Sequence, residues 1–280
     1  MNILVTGATG RVGSRLVPRL LQRGHSVKAL VRQPENAQFL INQGVTLVQG
    51  DLLQSESLTE AIANADAVIH LAAFFRGATP EETHAVNLEG TLALASAAIR
   101  EGVSRFIFAS TNLVYGPGKD KPFNEEDLPK SEAPYPQTKA AAEQALLELH
   151  RSHGLGLHIL RFAFVYGEGD PHLSEGLQWF RKWNPEQTIH MVHHADVAQA
   201  IILSVETPHG SGQIYNVADN EPVTAAEIMN RLNEPIPENA DRRPIDASWL
   251  QIVDTHKIQE QLGFKPTYPT LRHAASAGVL

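Results

Sequence analysis

Tyr135 and Lys139 stand four residues apart in the segment YPQTKAAAEQALLELH, whose composition favours an α-helix. Side chains at that spacing emerge on the same face of a helix, which would place the phenol beside the ammonium group. A tyrosine titrates at about pH 10 in water, and a neighbouring cation lowers its pKa by favouring the phenolate. The pair therefore predicts a proton-transferring group, although Tyr and Lys also meet at this spacing by chance on many helices.

Ser110 and Thr111 end the apolar run RFIFAST, which has the composition of a buried strand. Open α/β sheets bind their ligands at the carboxyl ends of their strands. A hydroxyl group at that position could polarise a substrate carbonyl. The alternative is that it satisfies backbone groups at the end of the strand.

Three glycines, Gly7, Gly10 and Gly13, form the loop GATGRVG between a predicted first strand and a predicted first helix. Such a loop lets a pyrophosphate approach the backbone, where the helix N–H groups and the positive end of the helix dipole meet it. An ordinary strand-to-helix turn is the alternative. No lysine follows the glycines, so the loop does not have the pattern of a nucleoside-triphosphate site.

The second predicted strand ends at Arg32, which bears on the choice between the two nicotinamide cofactors. A free ribose 2'-hydroxyl usually meets an Asp or Glu there, whereas a 2'-phosphate meets an arginine. Arg11 could supply a second positive charge to the same phosphate, so NADP is preferred over NAD, unless both arginines are merely solvated surface charges. Asp51, after the third strand, could accept a hydrogen bond from the adenine amino group, or it could shape a turn or cap a helix.

Short apolar runs rich in β-branched residues alternate with longer segments of helical periodicity. The predicted strands are 2–6, 26–31, 45–49, 67–71, 106–110 and 157–161, with helices between them. This alternation predicts an α/β fold with a doubly wound parallel (Rossmann) sheet. Helix starts are expected where Ser57 precedes Glu60 and where Thr224 precedes Glu227, because each pair has the spacing of a capping box.

The regular alternation ends near Phe162, and the prolines between Pro222 and Pro266 predict loops that join short elements. We expect 1–163 to form the dinucleotide-binding domain, with 193–218 returning to it, and 164–192 and 219–280 to form a small C-terminal substrate lobe. Trp179, Phe180 and Trp183 fall in this lobe. Their helical spacing favours packing over an aromatic substrate pocket.

The composition excludes several classes of protein. The chain of 280 residues has a net charge of −8, which disfavours binding to nucleic acid. No apolar run approaches the roughly 20 residues of a bilayer-spanning helix, and the strand-like start MNILVTG predicts a cytoplasmic protein without a signal peptide. With no cysteine, the chain forms no disulfide and no thiolate metal site.

His190, His193 and His194 form a cluster of histidines, and imidazole is a common metal ligand. No carboxylate-rich spacing accompanies them, so we predict no metal site.

The motifs together carry a family resemblance. GATGRVG, GDL at 50–52, HLAA at 70–73, NLEGT at 87–91, STNLVYG, YPQTK, LRFAFVYG, HHADVAQAI, YNVAD and KIQEQLGFKPTY follow one another along nearly the whole chain. In this order the chain resembles the extended short-chain dehydrogenase/reductase family, often called NAD-dependent epimerases/dehydratases. The resemblance implies a catalytic group in which Tyr135 is the acid/base, Lys139 lowers its pKa and binds ribose, and Thr111 holds the substrate oxygen.

The resemblance, together with the motifs above, also implies a larger set of contacts. The expected cofactor-binding residues are Gly7, Thr9, Gly10, Arg11, Val12, Gly13, Arg32, Asp51, Leu52, Leu71, Ala72, Ala73, Asn87, Ser110, Tyr135, Lys139 and Phe162. The expected substrate contacts are Phe74, Phe75, Asn112 and Phe164. The helices around 82–100 and 135–153 would form a homodimer interface.

Three departures from the family pattern bear on the substrate. Asn112 and Leu113 follow Thr111 where sugar-nucleotide dehydratases carry an acidic pair, which disfavours dehydration. Phe164 replaces an asparagine that often contacts a substrate phosphate, and the stretch 168–191 is short for holding a nucleotide diphosphate. Three hypotheses remain: an NADP-dependent reductase or dehydrogenase acting on a small carbonyl/alcohol pair, a sugar-nucleotide epimerase with retained NAD, and a non-catalytic NADP sensor.

Overall fold

The computed structural model describes residues 1–207 and 211–280. Its strands are β1 (Asn2–Thr6), β2 (Ser26–Val31), β3 (Thr46–Gln49), β4 (Ala67–His70), β5 (Arg105–Thr111), β6 (Leu157–Phe162), β7 (Phe164–Tyr166), β8 (Thr188–Ile189), β9 (Met191–His193), β10 (Gln213–Val217) and β11 (Val223–Thr224). Its α-helices are α1 (Arg11–Gln22), α2 (Gln38–Ile41), α3 (Ser55–Ile62), α4 (Pro80–His84), α5 (Thr91–Arg100), α6 (Pro134–His153), α7 (His172–Glu175), α8 (Leu177–Phe180), α9 (His194–Glu206), α10 (Ala225–Arg231), α11 (His256–Leu262) and α12 (Leu271–Ser276). A π-helical turn, Ala85–Gly90, joins α4 to α5, and 3₁₀ turns lie at Pro34–Ala37, Asn112–Tyr115, Ala240–Arg242 and Ala247–Trp249.

Seven strands form one parallel sheet in the order β10-β6-β5-β4-β1-β2-β3. Helices α1 and α9 cover one face, and α3, α5 and α6 cover the other, so each face has its own apolar core. The chain crosses from one half of the sheet to the other between β3 and β4, which opens a crevice at the carboxyl ends of β1 and β4. The predicted doubly wound Rossmann fold is confirmed.

A third apolar core lies outside the main sheet, among β7, β8, β9, α8, α10 and α12. Phe180 and Trp183 are buried in it with ring centroids 5.1 Å apart, as expected from their spacing. A core of its own favours the proposed substrate lobe at 164–192 and 219–280. The exact boundaries remain a proposal.

Two expectations for helix starts have different outcomes. Thr224 caps α10 by accepting a hydrogen bond from the Glu227 backbone N–H at 3.1 Å, as predicted. Ser57 does not cap α3, because that helix already begins at Ser55 and the Ser57 hydroxyl donates to the Gln54 carbonyl oxygen at 2.8 Å. No helix in the described parts of the chain is both long and apolar enough to cross a bilayer.

A buried ion pair joins α6 to β6 behind the strand ends. Glu143 and Arg161 are each 2% exposed, and Arg161 Nη2 donates to Glu143 Oε2 at 2.5 Å while its Nε lies 3.0 Å from Oε1. The hydroxyl of Ser110 on β5 also donates to Glu143. The Arg161 guanidinium carbon is 4.7 Å from the centre of the Tyr115 ring. One carboxylate therefore connects two strands and a helix.

The variant Arg161→Met should lose about 3–5 kcal/mol of unfolding free energy, because it leaves the Glu143 carboxylate buried without its counter-charge. Urea denaturation monitored by circular dichroism measures this loss. Arg151→Met is the matched control: Arg151 pairs with Glu148 at 3.1 Å on the exposed face of α6, and its removal should change stability by less than about 0.5 kcal/mol. Equal losses in the two variants would contradict the importance of the buried pair.

Candidate active site

The glycine loop turns the chain sharply from β1 into α1. Gly7 has a φ of +71°, and a Cβ atom there would lie 2.7 Å from the backbone nitrogen of Ala72 on the neighbouring strand connection. A Cβ atom at Gly13 would overlap the carbonyl oxygen of Gly7. Both positions therefore require glycine, the first for its backbone conformation and the second for the close approach of helix and loop.

The amino end of α1 has the character of an anion site. Its N-cap residue is Gly10, no side chain accepts a hydrogen bond from the first turn, and that turn contains no acidic residue. Among the described residues, the first N–H groups of this helix therefore have no acceptor and lie at the positive end of the helix dipole. These residues fit the pyrophosphate of a dinucleotide, with Thr9, Gly10 and Val12 as the proposed neighbours of the phosphates.

The residues predicted near the adenosine half lie beside the ends of β2 and β3. Arg32 is exposed, and its guanidinium carbon lies 5.8 Å from the centre of the Phe74 ring. The Asp51 carboxylate accepts a hydrogen bond from the Leu53 backbone N–H at 2.9 Å, which is the turn-forming role named as its alternative. Leu52 is buried against Gly90.

Arg11 departs from expectation. Its guanidinium donates to both carboxylate oxygens of Glu175 at 2.8 and 2.9 Å and lies 3.2 Å from Asp170. Arg11 was expected to supply a second positive charge to a 2'-phosphate. Its guanidinium instead binds two carboxylates of the lobe, because charge-assisted hydrogen bonds to carboxylates are stronger than hydrogen bonds to water. The glycine loop and the lobe are joined by these bonds.

A cavity of about 1030 Å³ lies between the carboxyl ends of the strands and the lobe. It brings together many of the predicted residues: Arg11, Val12, Leu71, Ala73, Phe75, Ser110, Thr111, Asn112, Tyr135, Lys139, Phe162 and Phe164. The other predicted residues lie outside its lining: Gly7, Thr9, Gly10, Gly13, Arg32, Asp51, Leu52, Ala72, Phe74 and Asn87. The cavity thus has the predicted catalytic group on its wall.

Tyr135 and Lys139 lie in the first two turns of α6, and both line the cavity. Burial lowers the pKa of Lys139 to about 7, against the opposing attraction of Glu143. Burial also raises the pKa of Tyr135 above its usual value. The protein alone therefore keeps the phenol protonated, so the expected lowering of its pKa would have to come from charges brought by the ligands.

Thr111 closes β5 with its hydroxyl oxygen accepting a hydrogen bond from the Leu113 backbone N–H at 3.2 Å. This bond leaves the hydroxyl proton available to a substrate oxygen. The neighbouring Asn112 donates to the Gln251 carbonyl oxygen at 2.8 Å, so its amide is engaged in holding the segment 247–255. Thr111 can contact a substrate, whereas Asn112 has a positioning contact.

Asn87 lies in the π-helical turn and is fully buried. Its side-chain oxygen accepts from the Phe74 backbone N–H at 2.8 Å, and its amide donates to the Phe74 carbonyl oxygen at 2.9 Å and to Thr138 Oγ1 at 3.2 Å. It thereby fixes the segment after β4 to α6. The role of Asn87 as a cofactor contact stays a prediction. Its hydrogen bonds hold the segment after β4 in position.

The histidine cluster is engaged with protein groups. His190 donates from Nε2 to the Asp219 carbonyl oxygen at 2.9 Å and accepts at Nδ1 from the Val253 N–H at 3.1 Å, and burial lowers its pKa to about 4. His194 Nε2 lies 2.7 Å from an Asp170 carboxylate oxygen. Over residues 1–207 and 211–280, no three His, Cys, Asp or Glu side chains converge on a possible metal position.

Several cavity residues escaped the sequence patterns. Arg76, His172 and Trp249 line the cavity, as does Trp179, for which packing was the expected role. For Arg76, the one signal in the sequence was that it directly follows Phe75, a predicted substrate contact. His172 stacks on Phe164 at 4.0 Å between ring centroids, a contact that no local motif indicates.

A sheet of this topology, with a tyrosine and a lysine of one helix facing a cleft beside a glycine loop, is the arrangement of the short-chain dehydrogenases/reductases. The model of the NAD dependent epimerase/dehydratase family matches residues 3–218, and the chain belongs to this family. The predicted family and the predicted class of enzyme, one that depends on a nicotinamide dinucleotide and transfers hydride, are confirmed.

Known proteins resemble the chain over most of its length. A 4-hydroxy-2-methyl-3-oxo-4-farnesyl-3,4-dihydroquinoline-1-oxide ketoreductase of Stigmatella aurantiaca is 32% identical over 84% of this chain and 73% of its own. A UDP-glucose 4-epimerase of Vibrio cholerae is 30% identical over 95% and 90%. The solved structure of MoeE5 in complex with UDP-glucuronic acid and NAD superimposes with a TM-score of 0.83 at 28% identity, over 99% of this chain and 97% of that one.

The variant Lys139→Met should raise the unfolding free energy by about 1–4 kcal/mol at pH 6, because it removes a charge from a buried position. The pKa of this lysine is about 7 in the folded chain and near its usual, higher value in the unfolded chain, so unfolding takes up a proton between the two values. The advantage of the variant should therefore be largest below about pH 7 and shrink as the pH rises toward 10.

Urea denaturation of wild type and variant at pH 6 and at pH 9 measures this difference. The control is Lys265→Met at an exposed lysine, which should change stability by less than about 0.5 kcal/mol at both pH values. A Lys139→Met variant less stable than wild type at pH 6 would contradict the cost assigned to burial of the ammonium group.

Proposed function

We propose that the chain is an NADP-dependent reductase, or in reverse a dehydrogenase, that acts on the carbonyl/alcohol pair of an apolar small molecule. One observation carries the proposal: Thr111, Tyr135 and Lys139 line a cavity that is also lined by five aromatic side chains, those of Phe75, Phe162, Phe164, Trp179 and Trp249. A hydrogen-bonding group in the same cavity as these rings suits a carbonyl attached to an apolar body.

The chain's residues have distinct parts in this reaction. The nicotinamide, when bound, supplies or accepts the hydride. The Thr111 hydroxyl donates a hydrogen bond to the carbonyl oxygen, and the Tyr135 phenol gives its proton to that oxygen as the alcohol forms. Because burial keeps Tyr135 protonated, the protein by itself is prepared for the reductive direction. The Lys139 ammonium would stabilise the phenolate left behind and hold the cofactor ribose.

The outer walls of the cavity favour an apolar substrate over a sugar nucleotide. Phe164 and His172 stack with an interplanar angle of 13°, and Trp179 and Trp249 complete an aromatic surface with ring centroids 6.0 Å apart. Phe164 has no group to offer a phosphate. The similarity to a ketoreductase that acts on a farnesylated quinoline supports a substrate with a large apolar part.

The preference for NADP rests on Arg32. It lies at the end of β2, it is exposed, and no carboxylate among the described residues lies within 4 Å of it, so its charge is free to meet a 2'-phosphate. Arg11 does not reinforce it, because that side chain is bound to the lobe. The proposed preference therefore depends on one arginine.

An epimerase with retained NAD is the second candidate, favoured by the similarity to the Vibrio cholerae epimerase and to a structure that holds NAD. The two functions differ in what happens to the cofactor. A reductase consumes NADPH in proportion to the substrate it converts, whereas an epimerase returns its cofactor to the starting state in every cycle. The aromatic walls weigh against the sugar nucleotide that the epimerase would need.

A homodimer is proposed as well. The faces of α5 and α6 away from the sheet carry small and apolar side chains that are only half-buried in the single chain, among them Leu92, Ala141 and Ala145. Covering this surface with a second copy would remove it from water.

The variant Tyr135→Phe should lower kcat for carbonyl reduction by about 100-fold or more, because it removes the proton donor while keeping the ring. The dissociation constant for NADPH should change by less than about threefold, measured by quenching of protein fluorescence. The control is Tyr268→Phe, whose hydroxyl is engaged with no other described residue. If Tyr135→Phe reduces carbonyl compounds at the wild-type rate, the assigned chemistry is wrong.

The variant Arg32→Glu should shift the ratio of kcat/KM for NADPH over NADH by about 10- to 100-fold toward NADH, since it replaces an attraction for the 2'-phosphate by repulsion. Arg105→Glu makes the same change of charge at the amino end of β5, whereas Arg32 follows the carboxyl end of β2, and it should leave the ratio unchanged. An unchanged ratio in Arg32→Glu would assign the preference to another residue.

A further inference from the structure

Arg76 lies on the segment that leads from β4 to α4, directly after Phe75. Its guanidinium carbon is 4.4 Å from the centre of the Phe75 ring and 4.4 Å from the centre of the Trp179 ring on α8. The arginine thus lies between an aromatic ring of the dinucleotide-binding part and one of the lobe. Both rings and the arginine itself line the cavity.

The guanidinium makes no close ion pair. Among the described residues, no carboxylate lies within 4 Å of Arg76 and none accepts a hydrogen bond from it. Glu175 attracts the guanidinium from a greater distance and raises its pKa, but Glu175 and Asp170 are both bound by Arg11, at 2.8 and 3.2 Å. Asp170 also contacts His194 at 2.7 Å.

This arrangement fixes the cation without using its hydrogen-bond donors. Contacts with aromatic rings stabilise a guanidinium through its charge while leaving the N–H groups free. Partial burial lowers the pKa of Arg76 from its usual value, which is the effect of removing water from a charged group. The five N–H donors of an arginine form a fork that matches the two oxygens of a carboxylate.

Arg76 is close to the catalytic group. The Phe75 ring that touches Arg76 also meets the Tyr135 ring edge-on, with centroids 4.7 Å apart. One aromatic ring therefore separates the cation from the proposed proton donor. A small molecule whose carbonyl meets Tyr135 could reach Arg76 with an acidic group only a few bonds away.

We propose that Arg76 is a specificity-determining residue that binds a carboxylate of the substrate, so that the substrate class is an apolar oxo acid or hydroxy acid. This inference rests on the proposed function for the identity of the reacting group. The apolar chain of the acid fills the space beside Trp179 and Trp249, and the carboxylate orients the carbonyl toward Thr111 and Tyr135.

Lys130 is the competing cation. It lines the cavity on the segment between Gly116 and α6, it is exposed as Arg76 is, and it too has no ion pair among residues 1–207 and 211–280. No aromatic ring holds its ammonium group in place. A flexible lysine loses more conformational freedom on binding than an arginine already fixed by two rings.

The test compares octanoate with octanamide, which has the same chain and no charge, as ligands of the NADP-loaded protein in calorimetric titrations. Wild type should bind octanoate at least about tenfold more tightly than octanamide. Arg76→Met should abolish this preference while changing octanamide binding by less than about threefold, and Arg76→Lys should retain part of it. Arg181→Met, which removes a charge from the lobe outside the cavity, should keep the full preference.

Equal binding of the two ligands by wild type would overturn the inference, and so would loss of the preference in Lys130→Met but not in Arg76→Met. These outcomes are independent of turnover. If neutral ketones are reduced but octanoate has no advantage, the proposed function stands and the role of Arg76 falls. If octanoate binds through Arg76 but no carbonyl compound is reduced, the anion site stands and the proposed reaction falls.

Discussion

The arrangement of the buried side chains of the site depends on the Glu143 carboxylate. This carboxylate balances the guanidinium of Arg161 from β6, accepts the hydroxyl of Ser110 from β5, and lies one helical turn after Lys139 on α6. Without it, the buried cations of Arg161 and Lys139 would lack the negative charge that Glu143 supplies. Because the carboxylate is shared, α6 has a fixed rotation relative to the sheet. That rotation brings Tyr135 and Lys139 to the cavity, next to the Thr111 that ends β5.

The features that the sequence predicts correctly have local causes. The strands, the glycine loop and the cap at Thr224 depend on residues a few positions apart, so their patterns are complete within a short segment. Ser57 shows the limit of such patterns: the spacing to Glu60 fits a capping box, yet the helix begins two residues earlier. The order of motifs along the chain was sufficient to identify the family, because each motif is a short local pattern and together they follow one another along nearly the whole chain.

The remaining parts of the site depend on contacts between distant segments. Arg11 meets Glu175 across 164 positions of sequence, and its side chain follows the carboxylates of the lobe rather than the phosphate expected from its place in the glycine loop. Asn112 lines the cavity, but its amide is engaged by the Gln251 carbonyl oxygen of the segment 247–255. In each case a charged or polar side chain bonds to a group that is distant in sequence and comes near it only in the folded chain. The sequence carries no local signal of these partners of Arg11 and Asn112, whereas Phe75 and Phe164, expected as substrate contacts, line the cavity.

The aromatic content of the lobe has an optical consequence. All three tryptophans of the chain, Trp179, Trp183 and Trp249, lie there, with ring centroids 5.1 Å apart for one pair and 6.0 Å for another. The seven-stranded sheet and its covering helices contain none. The intrinsic ultraviolet emission of the protein therefore originates in one small region, close enough for excitation to pass among the three indoles. Trp179 contacts Arg76 and lines the cavity. The emission of the three tryptophans therefore reports the polarity of the cavity rather than changes in the sheet and its covering helices.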